Sequence, residues 1–116
     1  MFADDPHPPP GRVATRRHGT MRIVTLWGEH DLSTVDLVRE CLADAGVGEG
    51  VIVVDLVDAV FIDSTVAGAL LEAYRRDLTP RMRFVVAPGT SPRELFTALG
   101  FDGSVPIFER LEDALA

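Results

Sequence analysis

Four consecutive β-branched residues, Val51-Ile52-Val53-Val54, limit the fold of this chain more than any other stretch. The run is too short for a helix and has no polar side, so it reads as a strand buried on both faces. Asp55 closes it, and Leu56 to Ile62 read as a partly apolar connection. Asp63-Ser64-Thr65 follows, three residue types suited to capping a helix. From there apolar residues fall at 66, 70, 74 and 78 and at 67 and 71, a helical stripe. Glu72 and Arg76 lie on the other side, spaced to pair across one turn. A buried strand therefore delivers a short polar turn to the start of an amphipathic helix, and any declared function belongs at that turn.

With 116 residues the chain supports one domain and one core. A net charge of −7 argues against a nucleic-acid partner, because phosphate binding needs a basic face. Arg16-Arg17 and Arg75-Arg76 read as solvated surface. No apolar run approaches the roughly 18 residues that span a bilayer, and the acidic, proline-rich start is not a secretory signal. The lone Cys41 excludes an internal disulfide and fits a reducing cytosol.

In chain order, residues 1–11 read as a flexible tail and residues 12–116 as the domain. Val13 to His18 form an edge strand, and Gly19-Thr20 turns the chain into a strand over Met21 to Trp27 with one strongly buried face. Gly28 to Leu32 read as a loop. Ser33 or Thr34 then caps a helix to Ala45, with Val35, Val38, Leu42 and Ala45 inward and Gly46 and Gly48 ending it. Thr79-Pro80 breaks the central helix, and Met82 to Ala87 form another buried strand. Ser91-Pro92-Arg93-Glu94 has the pattern of a capped helix start. Leu95, Ala98 and Leu99 line its inner face, and Gly100 stops it. Val105 to Phe108 make a last strand before a helix from Glu109. The expected class is α/β, a mixed sheet of about five strands with about four helices mainly on one face.

Several chemistries compete for the polar residues. Asp63 or Ser64 as a plain helix cap is the commonest role for such residues. Phosphorylation of Ser64 is compatible with it, because exposed N–H groups and the helix dipole favour an anion there. Glu29-His30-Asp31 has no second His or Cys at ligand spacing, so no metal is expected; Asp31 reads as capping the next helix or orienting its loop. Ile62-Asp63-Ser64-Thr65-Val66 lacks the glycines of a hydrolase elbow, and His30 is a poor catalytic partner for Ser64. Cys41 reads as a packed or half-exposed residue. An acyl-carrier-like protein is also small and acidic with an Asp-Ser at a helix start. Such carriers are helical bundles, and the strands argue against one.

Five motifs in order, Gly28-Glu29-His30-Asp31-Leu32-Ser33-Thr34, Val51 to Leu56, Phe61 to Thr65, Ser91-Pro92 with Leu99-Gly100-Phe101, and Leu111 to Leu115, resemble the STAS domain of bacterial anti-sigma-factor antagonists. The resemblance covers about residues 12 to 116. It implies a cytoplasmic, non-enzymatic regulator of transcription, as in stress responses, that works by partner switching. The unphosphorylated domain binds an anti-sigma factor that is also a serine kinase, and phosphorylation separates the two. A serine phosphatase resets the system. The phosphoacceptor maps onto Ser64, and Asp31, Asp63 and Thr65 onto the partner-facing surface. ATP, metal and base belong to the kinase, so the chain itself needs no cofactor. Two departures stand out. Val66 replaces the motif glycine, which implies bulk in the kinase's path, a narrower partner choice, or a non-phosphorylated scaffold. His30 replaces an apolar residue, which implies docking that varies mildly with pH.

Overall fold

The computed structural model describes residues 11–76 and 81–116. The expected tail over residues 1–11, apart from Gly11, and the expected break at Thr79-Pro80 lie outside the described residues. Strands β1 (Arg12–His18) and β2 (Met21–His30) form an antiparallel hairpin turned by Gly19 at φ 62°. Helix α1 (Val35–Ala45) leads to β3 (Ile52–Asp55) and β4 (Ala59–Ile62), then to α2 (Ser64–Arg76). Strand β5 (Met82–Val85), α3 (Ser91–Ala98), a 3₁₀ turn (Phe101–Gly103), β6 (Ile107–Phe108) and α4 (Leu111–Ala114) complete the chain. The sheet has six strands in the order β1-β2-β3-β5-β6, parallel from β2 onward, with β4 pairing to β2 beside this path. The mixed α/β sheet with four helices matches the expected class. Among the described residues no helix is long and apolar enough to cross a membrane.

Strand alternation assigns the two faces. Val24, Val54 and Phe84 point toward α1, α2 and α3 and form the main core. Its centre is a chain of rings, Tyr74–Phe84–Phe96–Phe101, with successive centroids 6.3, 5.8 and 4.8 Å apart. On the opposite face Ile23, Val53 and Val85 pack with Ala114 of α4. Arg83 holds that helix by donating to the carbonyls of Ala114 (2.6 Å) and Ala116 (3.3 Å). Because α4 covers the second face, β2 is buried on both sides over Ile23 to Leu26, not on one.

Four other expectations change. Strand β2 runs on to His30, so Glu29 and His30 belong to the sheet rather than to a loop. Gly28, at φ 77°, sits at an irregularity where β2 stops pairing with β3 and takes up β4. The connection read over Leu56 to Ile62 thus contains a strand. Helix α3 is capped by Thr90, whose Oγ1 accepts from the Arg93 N–H, one residue before the expected Ser91. Pro92 and Phe96 are its buried residues and Leu95 packs partly buried against the core as expected, while Ala98 and Leu99 are exposed; docking of the Phe96 ring between Phe84 and Phe101 sets the roll. Helix α1 keeps the expected stripe of Val35, Val38, Leu42 and Ala45.

Asp55 ends β3 nearly out of contact with solvent. Burial, helped by the Asp58 charge, pushes its carboxyl up against the opposing hydrogen bond from the Val57 N–H. The folded state therefore keeps this proton to higher pH than the unfolded chain. Its contribution to stability is complete below the ordinary carboxylate range and is lost as pH rises through the folded value. Asp55→Asn, which keeps an acceptor for Val57, is expected to gain on the wild type as pH rises from the ordinary carboxylate range, about pH 4, through the folded value. Urea midpoints across that window measure it, and a constant gap between the two proteins would rule the effect out.

Candidate functional site

The site lies where two parallel strands end together. His30 of β2 is in register with Ile62 of β4, so the next residues, Asp31 and Asp63, leave adjoining strand ends. The Asp63 N–H donates to the His30 carbonyl at 3.0 Å and holds the two exits side by side. Asp63 then caps α2. Its carboxylate accepts from the Val66 N–H at 2.9 Å, and its carbonyl accepts the first helical bond, from Ala67 N–H at 3.0 Å. A cap of this kind is worth about 1 kcal/mol.

Ser64 and Thr65 follow at the first two helical positions, both exposed. The Ser64 hydroxyl makes no hydrogen bond to the described residues and is exposed to solvent. Helix α2 carries no acidic residue in its first turn beyond the Asp63 cap and has Arg75 and Arg76 in its last, so its dipole is matched at both ends. Glu72 and Arg76 pair at 2.7 Å, as their spacing predicts. Gly68 is exposed, one turn along from Ser64 and Thr65, with open space where a Cβ would stand. The first two turns of α2 thus present a low, polar surface.

Asp31 is exposed and fixed by Ser33, whose backbone N–H (2.9 Å) and hydroxyl both donate to Oδ1. These bonds, with some help from His30, hold its carboxyl below the usual range, so Asp31 carries its charge. It orients the loop as expected; Thr34, at the start of α1, makes no side-chain capping bond of its own.

His30 and Val66 are the two corrections. His30 is fully buried. Its Nε2 lies 2.9 Å from the Trp27 carbonyl, which only accepts, so Nε2 carries the proton and donates. Nδ1 lies 3.0 Å from Thr34 Oγ1. Gly11 lies so close that a Cβ would overlap the His30 ring. His30 is an internal brace between β2 and α1 and does not belong to a docking surface, and both ring nitrogens are engaged away from solvent. Val66 is also fully buried, in the core with Leu70. Its bulk points inward and does not obstruct an enzyme approaching Ser64.

Two residues of the site were not singled out in the sequence. Leu32, after Asp31, is 72% exposed, and Phe61, two before Asp63, is 40% exposed. Contiguous apolar patches rimmed by polar groups mark places where proteins meet. The signal for Leu32 was present, because it falls outside the α1 stripe. Phe61 gave none until β4 was known to be an outlying strand.

The family model of the STAS domain matches residues 12–114. The fold is similar to that of an anti-sigma factor antagonist from Mycobacterium paratuberculosis, with 22% identity, a TM-score of 0.84, and coverage of 91% of this chain and 92% of that one. It is also similar to the anti-sigma factor antagonist SpoIIAA in its unphosphorylated form, with 17% identity, a TM-score of 0.68, and coverage of 90% and 94%. The phosphorylated form of the Bacillus cell fate determinant SpoIIAA gives 18% identity, a TM-score of 0.65, and coverage of 90% and 96%. Among curated proteins, none matches the chain.

Proposed function

The chain belongs to the STAS domain family, and on that premise we propose that it is an anti-sigma-factor antagonist switched by phosphorylation of Ser64. In this reading the domain is a binding module without catalytic groups of its own. Unmodified, it engages an anti-sigma factor through Asp31, Asp63, Ser64 and Thr65, with Leu32 and Phe61 supplying apolar contact. The sigma factor is thereby set free, and transcription is regulated in the bacterial cytoplasm without this chain touching DNA.

The anti-sigma factor carries serine kinase activity and binds ATP and its metal. Ser64 Oγ attacks the γ-phosphorus, a new O–P bond forms, the bond to the β-phosphate oxygen breaks, and ADP leaves. The hydroxyl proton goes to a base on the kinase. The product adds about −1.5 to −2 charges beside the Asp63 carboxylate, where the helix N-terminus tolerates them but an acidic or apolar partner surface does not. A serine phosphatase reverses the step.

The observation that carries this reading is the exposed, unengaged Ser64 hydroxyl at the first position of α2, on a helix start already satisfied by Asp63. Burial of Val66 weakens the alternative of a non-phosphorylated scaffold, whose motivation was bulk at that residue. The six-stranded sheet disposes of an acyl-carrier bundle. Incubation with the cognate kinase and ATP is expected to add the mass of one phosphoryl group to the wild type and none to Ser64→Ala. Equal labelling of the two proteins would refute the assignment.

A further inference from the structure

At the end of the domain away from Ser64, α1 and α2 part and leave a cleft of about 300 Å³. The gap exists because small residues face each other across it, Ala43 and Gly46 from α1 against Ala69 and Ala73 from α2. Its floor is apolar, made by Leu42 of α1 with Ile52 and Met82 at the starting ends of β3 and β5. Its rim carries Arg39, Arg76 and Arg81 together with Glu72.

In a chain of net charge −7, three guanidinium groups around one apolar hollow outnumber the Asp36 and Glu72 carboxylates paired with them among the described residues. Arg81 is held in place by the carbonyls of Gly46, Gly48 and Gly50 at 3.1, 2.6 and 3.1 Å. Arg39 pairs with Asp36 at 3.4 Å and Arg76 with Glu72 at 2.7 Å, both on the exposed surface. Exposed pairs of this kind contribute little and exchange readily for a better anion. Planar guanidinium groups match a carboxylate in two-point contact, and the volume is at the lower end of small-ligand sites.

We propose that this cleft binds a small amphipathic carboxylate, with a medium-length aliphatic body on the Leu42–Ile52–Met82 floor and its carboxylate against Arg39 and Arg76. The site is separate from the Ser64 surface and does not depend on the role assigned to it.

Octanoate, octylamine and acetate, each added below any aggregation threshold to the isotope-labelled full chain, test the proposal by amide shifts. Octanoate is expected to give saturable shifts centred on Ala43, Val47, Ala69 and Ala73. Octylamine, with the chain but the wrong charge, and acetate, with the charge but no chain, are each expected to bind about tenfold or more weakly. The double variant Arg39→Gln/Arg76→Gln should lose about tenfold in octanoate affinity. Ala73→Leu, which fills the cleft, should abolish the shifts while its thermal unfolding establishes that the domain is intact. Octylamine binding as well as octanoate, shifts centred elsewhere, no saturable shift, or full binding by a folded Ala73→Leu would each overturn the assignment.

Discussion

Ser64→Glu is expected to bind the proposed anti-sigma factor partner about tenfold or more weakly than the wild type, a loss of about 1.4 kcal/mol or more, whereas Ser64→Ala, which gives up one hydroxyl contact and adds no charge, should lose much less. Ser64 is exposed at the helix start, so neither substitution disturbs the core, and a carboxylate at the first helical position favours the helix itself. Any loss of affinity in the glutamate variant therefore belongs to the interface, where the new charge stands beside Asp63 and near Asp31. Titration calorimetry at two salt concentrations measures it. The penalty should shrink at higher ionic strength, because exposed charges are screened over about 8 Å at physiological salt. Undiminished affinity in Ser64→Glu would remove charge repulsion as the basis of the switch.

Val66→Gly is expected to destabilise the domain by about 3 kcal/mol. Removing a fully buried valine side chain forfeits about 1.5–3 kcal/mol of apolar burial, and the lower helix propensity of glycine relative to valine adds about 0.3–0.5 kcal/mol. The substitution would restore the glycine of the family motif, yet Val66 faces Leu70 in the core and does not face a partner. Labelling of Ser64 by the kinase, measured where the variant is folded, should proceed at the wild-type rate. Urea unfolding that left stability within about 0.5 kcal/mol of the wild type, the range of ordinary surface changes, would contradict the inward placement.

Val66 also illustrates what the residues made legible. Apolar spacing over 66, 70 and 74 placed it on the inner stripe, while comparison with the motif glycine placed it at the kinase's approach. The periodicity was the sounder guide, because a helix has one buried side and a β-branched residue on that stripe has nowhere else to go. The same logic made Val51 to Val54, the α1 stripe and the Asp63–Ser64 helix start readable in advance. Local pattern could not supply what depends on distant partners. Ala59-Val60-Phe61-Ile62 has no alternation of its own and becomes a strand because β2 extends past the end of β3. The roll of α3 was decided by an aromatic ring seated between two others, and the burial of His30 by a carbonyl and a hydroxyl supplied from Trp27 and Thr34.

The change of neighbour at Gly28 has a mechanical corollary. Beyond that residue β2 is joined to β4 by a ladder of only a few rungs, outside the row formed by β3, β5 and β6. Segments with so few backbone bonds open at lower cost than the centre of a sheet. In the proposed switch, a companion protein pulling on the Ser64 turn would act on this short ladder first. Amide hydrogens of Phe61 and Ile62 should therefore exchange with solvent sooner than those of Val53 and Val54.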